Sequence, residues 1–420
     1  MNVLFIHQNF PGQFKHLAPA LAESKDWHVV AVGQRPIDRA DLPGISYFTY
    51  GQLPPLEPPQ YPPLEQFVSH VRRGRALASL LRQLADQGFR PDFVVAHPGW
   101  GEVLFLHDVF PDAPLITYLE FYYRAQESDL DFDLEFPVSS ADLEFLRLRN
   151  LTNLLAFETA TVPVSPTEWQ ANLFPPNLRS RIRILHEGVD TGLASPSASA
   201  VLRLPQGRVL MRKDEVLTYV ARGLEPYRGF HVFMRALPEI QKRRPDLFTI
   251  VVGADEVSYG CRPANGSSWR EALLAEVGRE LDMSRIWFAG MLPYSRYLDV
   301  LRISTVHLYL TYPFVLSWSL LEAMSVGCAI VASDTPPVTE VITGEETGRL
   351  VDFFDRDALV SAVDALLQDS SRRTRLGAAA RAHIVDCYDF RTRALPSYLT
   401  LFEEIAPQPG LKSSNPAMRQ

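Results

Sequence analysis

Cysteine is scarce in this 420-residue chain: Cys261, Cys328 and Cys387 are isolated, odd in number and without C-x-x-C spacing. That pattern excludes a disulfide framework and a cysteine-rich zinc site, and it fits a reducing cytoplasm. Long apolar runs are missing too, since no stretch reaches the ~18 consecutive apolar residues that a spanning helix needs. Basic charge is in deficit: 41 Lys and Arg against 49 Asp and Glu leave a net charge of −8. Gripping nucleic acid over a wide face takes a field of Lys and Arg that displaces counterions, so no nucleic-acid partner is expected. A local basic pocket, or peripheral contact with the inner face of a membrane, stays compatible with that charge. The opening MNVLFIHQNFPGQF lacks a basic leader and breaks at Pro11-Gly12. It reads as a buried strand followed by a turn rather than a signal peptide.

What is present is a regular alternation. Short runs apolar on both faces, as parallel strands require, recur between stretches of helical periodicity. Strands are expected at 3–8, 27–33, 45–50, 93–97, 115–121, 160–165 and 182–187, and again at 216–221, 247–253, 285–289, 306–312, 328–333 and 349–352. The expected fold class is α/β, with two doubly wound Rossmann-like sheets, one in each half. The stretch 190–212, rich in Ser, Ala and Pro, is expected to join the halves. Residues 1–195 and 210–385 then form the two domains, with a terminal helix at 386–406 packing back on the first and a disordered tail at 407–420. The proline-rich LPPLEPPQYPPLEQF at 53–67 reads as an extended surface excursion.

Ligands of open parallel sheets bind at the carboxyl ends of the strands, where helix N-termini point free N–H groups outward. Two strand ends stand out. After strand 306–312, Leu316, Ser317, Trp318 and Ser319 lead into the LLEAM helix. Its free N–H groups suit a phosphate, and Glu322, about one turn in, suits two vicinal hydroxyls such as those of a ribose. Glu322 could equally do no more than complement the helix dipole. After strand 216–221, Arg222 and Arg228 lie in one loop and could hold a pyrophosphate by forked hydrogen bonds, or be surface arginines near Glu225.

Together ARGLEPYRGF, IVVGADE, IWFAGMLPY, the LEAM helix, SDTPPVTEVI, ETGRLVD and HEGVD resemble the family 4 glycosyltransferases of GT-B fold. FIHQNFPGQFKHLAPAL and AHPGWGE resemble one bacterial branch of it. The resemblance implies two facing Rossmann-like domains with a cleft, the first serving the acceptor and the second a nucleoside-diphosphate sugar such as a UDP- or GDP-sugar. By position, Arg222 matches a basic residue on the diphosphate and Arg228 the place usually held by Lys. Glu322 matches the second Glu of the E-x7-E motif, but its first Glu falls at Phe314, which has no carboxylate to offer the sugar. Gly253 and Gly290 resemble strand-end glycines near the nucleotide, Met291 lies where the base would stack, and Thr335 and Glu340 border the same pocket. Gly12 and Gln13 resemble the family's glycine loop; without a full G-x-G-x-x-G fingerprint, a dinucleotide oxidoreductase is disfavoured. His97 and Glu120 compete for a place at the donor sugar, in a region that also holds Gly99 and Glu102.

The D-x-D spacing of Asp129, Asp131 and Asp133 suggests a divalent metal, but it lies in an acidic loop of the first half, and two arginines already offer compensating charge. No metal or other cofactor is expected. The resemblance implies a retaining transfer to a glycan, lipid-linked or small-molecule acceptor. A nucleotide-sugar epimerase, a phosphorylase, and an inactive nucleotide-sugar or glycan-binding protein are the alternatives. Oligomeric state is not legible.

Overall fold

The computed structural model describes residues 1–55, 64–264 and 266–406, so most of the proline-rich stretch and the whole 407–420 tail lie outside the described residues. The chain forms two compact units: Met1–Tyr123 with Ser139–Glu187 and the segment from Ala394, and Arg124–Val138 with Gly188–Arg393. The first unit is therefore not continuous over 1–195, because the acidic segment 124–138 belongs to the second.

The first unit holds seven parallel strands: β1 Asn2–Ile6, β2 His28–Gly33, β3 Ile45–Thr49, β4 Phe93–Ala96, β5 Leu115–Tyr118, β6 Val162–Ser165 and β7 Arg183–Ile184, in the order β3-β2-β1-β4-β5-β6-β7. β1 is an interior strand, with Leu4 in register with Val30 on one side and Val94 on the other, and Val3 to Ile6 fully buried. Runs apolar on both faces suit such a strand, which helices cover from both sides. Helix Glu65–Asp86 supplies one cover, burying Gly74, Leu77, Ala78, Leu81 and Leu84 at three- and four-residue spacing. The terminal helix Leu395–Ile405 also belongs here, with Phe402 stacked on Phe93 at 4.6 Å between centroids.

In the second unit β8 Val201–Arg203 and β9 Val209–Met211 pair as an antiparallel hairpin. The region expected to be a linker is thus partly structured, because Leu202, Leu204 and Leu210 reach a core with Val216, Phe248 and Ile250. The six-stranded parallel sheet comprises β10 Val216–Gly223, β11 Phe248–Ala254, β12 Ile286–Gly290, β13 Val306–Tyr309, β14 Ile330–Ser333 and β15 Arg349–Val351, in the order β12-β11-β10-β13-β14-β15. Every strand expected in either sheet has a counterpart. Among the described residues no helix is long and apolar enough to cross a membrane.

Both sheets reverse strand order once, between β1 and β4 in the first and between β10 and β13 in the second. The crossovers on the two sides of such a point diverge and leave a crevice at the carboxyl ends of the strands.

Candidate active site

In the first unit that crevice gathers a chain of polar side chains. His7 follows β1 and is buried; the Asn9 N–H donates to its Nδ1 at 3.0 Å, so the proton sits on Nε2, which donates to Gln13 Oε1 at 2.6 Å. Gln13 Nε2 donates to Glu120 Oε1 at 2.6 Å, and His97 Nε2 faces Glu120 Oε2 at 3.4 Å. The Gly99 N–H donates to His97 Nδ1 at 3.2 Å, selecting the same tautomer, and Trp100 stacks on the His97 ring at 4.3 Å. His97 and Glu120 are therefore partners rather than competitors. His7 is the member that sequence reasoning missed; its only signal was a histidine at the end of an otherwise apolar strand.

Burial and the neighbouring His97 push the His7 imidazole down to about 3. Burial alone would raise the Glu120 carboxyl, but hydrogen bonds from His97 and Gln13 hold it below its usual value. The cluster at neutral pH is one carboxylate served by N–H donors. Because the folded state resists protonating His7, stability should be full above about 6.5 and fall as pH drops toward about 3. We expect His7→Gln to lose about 1 kcal/mol less than the parent per pH unit between 6 and 4, read from urea midpoints.

Gly12 fits this crevice for a steric reason. Its φ is +47°, and a Cβ would lie 2.2 Å from His7 Nε2. Gly12→Ala should destabilise the protein by about 2 kcal/mol and break the His7–Gln13 bond, visible as a changed His7 imidazole NMR signal. Glu102 lies apart from this chain: it is buried, accepts from Tyr50 OH at 2.8 Å, and burial raises its pKa.

In the second unit Arg222 stands exposed near the end of β10. Arg228 is different. It is 5% exposed, its Nη1 donates to Thr311 Oγ1 and to the Val315 carbonyl at 2.9 Å each, and its guanidinium lies over the rings of Tyr259 and Phe314. The expected open fork of two arginines is thus one exposed arginine and one that braces the loop after β13. Phe314 is buried in the same aromatic group, 4.7 Å from Tyr259 and 5.4 Å from Tyr227 between centroids. Apolar packing occupies the position where a first Glu was sought. Glu225, also missed, is fully buried and accepts the N–H groups of Ser258, Tyr259 and Gly260 at 2.9–3.1 Å, which pins that loop against this one.

Helix Trp318–Val326 begins after that loop. Ser317 caps it, accepting from the Ser319 N–H at 3.3 Å, and its own N–H donates to Tyr309 OH at 2.9 Å. Leu316, Ser317 and Trp318 are partly exposed and Ser319 is buried. Glu322 is buried and accepts from Tyr294 OH at 2.9 Å and Tyr297 OH at 2.7 Å, so two tyrosines already orient its carboxylate. At the other strand ends, a Cβ on Gly253 would lie 2.8 Å from the Ala221 carbonyl, whereas Gly290 meets nothing within 4 Å and Met291 is 66% exposed. Thr335 is buried beside Ser333, and Glu340 is half-buried.

The acidic segment docks within this unit. Tyr227 OH donates to Asp129 at 2.9 Å, Asp133 accepts from Tyr312 OH and faces His231 at 3.1 Å, and Phe132 packs on Tyr312 and Phe353. Asp131 instead caps the backbone N–H groups of Glu127 and Ser128. The three D-x-D carboxylates have separate partners and do not converge. Atoms of Asp133, Glu135 and His231 do lie within 4.8 Å of one another, but Arg235 takes both oxygens of Glu135 at 2.6 and 2.9 Å and already supplies the counter-charge.

A family model described as Glycosyl transferase family 4 group matches residues 25–194, and one described as Glycosyl transferases group 1 matches 205–383. The GDP-mannose-dependent alpha-(1-6)-phosphatidylinositol monomannoside mannosyltransferase of Mycolicibacterium smegmatis is 29% identical over 53% of this chain and 56% of its own. The D-inositol 3-phosphate glycosyltransferase of Nocardia farcinica is 27% identical over 49% and 44%. The chain spans about half the length of these curated relatives. Among solved structures, HepE of Anabaena in complex with UDP and glucose superposes with a TM-score of 0.69 at 16% identity, covering 96% of this chain and 100% of that one. Sucrose-phosphate synthase of Thermosynechococcus elongatus does so with 0.71 at 18% identity, covering 96% and 100%. At those identities the likeness is one of fold. With the two family models meeting near residue 200 and the Rossmann-like units on either side, the chain belongs to the family 4 glycosyltransferases of GT-B fold.

Proposed function

We propose that this chain moves a glycosyl group from a nucleoside-diphosphate sugar to an acceptor hydroxyl, with retained anomeric configuration and without a metal ion. The observation that carries this reading is the switch point of the second sheet, where exposed Arg222 at the end of β10 adjoins the strand leading to helix Trp318–Val326. Arg222 and the positive end of that helix would stabilise the charge gathering on the departing diphosphate, a contribution largest in the transition state. Glu322, oriented by Tyr294 and Tyr297, would accept hydrogen bonds from the ribose hydroxyls. Arg228 is a positioning residue in this scheme, since it holds the loop from which the helix starts. The buried Phe314 leaves sugar recognition in this unit to the segment Leu316–Trp318, and the carboxylate of Glu120 with His97 would bind sugar hydroxyls in the first unit.

In the proposed reaction the bond between the anomeric carbon and the diphosphate oxygen breaks as the acceptor oxygen attacks from the same face. The leaving phosphate takes the acceptor proton, so no protein nucleophile is needed. The named relatives make GDP-mannose and UDP-glucose the first donors to try, with glycan, lipid-linked and small-molecule acceptors, in a reducing, cytoplasmic setting. Proton NMR of the product should show the anomeric configuration of the donor, and EDTA should leave the rate unchanged. An inverted product would contradict retention, and loss of activity with EDTA, restored by a divalent ion, would contradict metal independence.

A further inference from the structure

A second concave site lies in the second unit, at the opposite edge of the sheet from the loops just described. Its walls include Ser304 and Thr305, immediately before β13, and Ala329, immediately before β14, so it opens at the amino ends of the strands whose carboxyl ends carry the donor loops. It encloses about 380 Å³, and three arginines, Arg212, Arg373 and Arg381, line it with no carboxylate among the lining residues.

Some arginines of the unit are paired with acids, such as Arg235 with Glu135 and Glu276 and Arg244 with Asp364, while others, Arg228 among them, are held by neutral partners. Among the described residues none of the three pocket arginines has a carboxylate at ion-pair distance. Arg381 is anchored on backbone carbonyls, those of Ser325, Ala194 and Thr191. Arg373 spends Nη1 on the Leu366 and Leu367 carbonyls at 2.6 and 2.7 Å, and no described partner takes its Nε or Nη2. Burial lowers the Arg373 pKa, with Arg244 adding to the effect, although Glu215 and Asp369 oppose it. Arg212 is exposed at the rim. Collecting guanidiniums in a recess is costly unless an anion completes it, and forked N–H donors match the oxygens of a phosphate.

We propose that this pocket binds the phosphate group of a phosphorylated ligand, as a site distinct from the nucleotide-sugar site. The volume suits a phosphorylated small molecule, or the headgroup of a phospholipid entering from its surface.

Inorganic phosphate is the probe, titrated by calorimetry into the full-length parent, Arg212→Glu, Arg212→Lys and Arg222→Ala. Arg212 is exposed with no described hydrogen bond or ion pair, so its variants should fold, which thermal melts verify. We expect phosphate affinity to fall at least tenfold in Arg212→Glu, to recover largely in Arg212→Lys, and to persist in Arg222→Ala. Flotation with phosphatidylcholine vesicles, with and without phosphatidic acid, separates the two sources. Flotation that requires phosphatidic acid and is lost in Arg212→Glu identifies a headgroup, and phosphate binding without flotation identifies a soluble ligand. Absence of both, or binding that Arg212→Glu leaves intact, overturns the proposal. Failure of the donor site would show separately, as donor turnover that survives Arg222→Ala.

Discussion

Replacing Arg222 by alanine is expected to lower donor turnover by about 10²- to 10³-fold, the range typical of removing one preorganised donor from a developing negative charge. The substitution should leave the melting temperature nearly unchanged, because Arg222 is exposed and surface changes usually shift stability by under ~0.5 kcal/mol. Arg222→Lys keeps the charge without the fork and should recover part of the loss. The expected signature lies in kcat more than KM, since charge on the diphosphate is greatest as it departs. Arg228→Ala should differ. With Arg228 buried against Thr311, Val315, Tyr259 and Phe314, its removal should lower stability and activity together.

Glu225→Ala is expected to destabilise the second unit strongly. The Glu225 carboxylate accepts three successive backbone N–H groups, from Ser258 to Gly260, with no exposed surface. Hydrogen bonds to a charged acceptor contribute roughly 1.5–3 kcal/mol each, and buried donors left unmade pay their desolvation cost. Relaxation of the 258–260 loop toward water would recover part of that, so a net loss of about 3–4 kcal/mol is expected. For a unit of this size it amounts to a melting-temperature drop of roughly 6–16 °C. Glu225→Gln retains one acceptor oxygen and should lose about half as much. Differential scanning calorimetry of the three proteins checks the order, parent above Glu225→Gln above Glu225→Ala.

Strands of this fold were legible because a parallel strand covered on both faces must be apolar on both, and that pattern is local. Val3–Ile6 and Ile330–Ala332 carry it without help from any other part of the chain. The β8–β9 hairpin was not legible, because its strands are only three residues each and lie inside a stretch whose composition reads as a linker. The site was legible by position and less so by contact. Spacing places Arg222 and Arg228 on one loop, but a difference of six residues cannot tell which faces solvent; that depends on Thr311 and Val315, more than 80 residues away. In the same way, Gln13 and Glu120 are separated by 107 positions and joined by one 2.6 Å hydrogen bond. Their partnership follows from the strand order around β1, which no local pattern records.

Donor turnover is the decisive test of a glycosyl transfer by this chain. Full-length protein incubated with a panel of UDP- and GDP-sugars, with water or added sugars as acceptor, should release nucleoside diphosphate over many turnovers from at least one donor. The Arg222→Ala protein should bind that donor and release almost none. A donor that raises the melting temperature of the parent, yet yields no diphosphate with any acceptor tried, would contradict the account and mark the chain as a nucleotide-sugar binder.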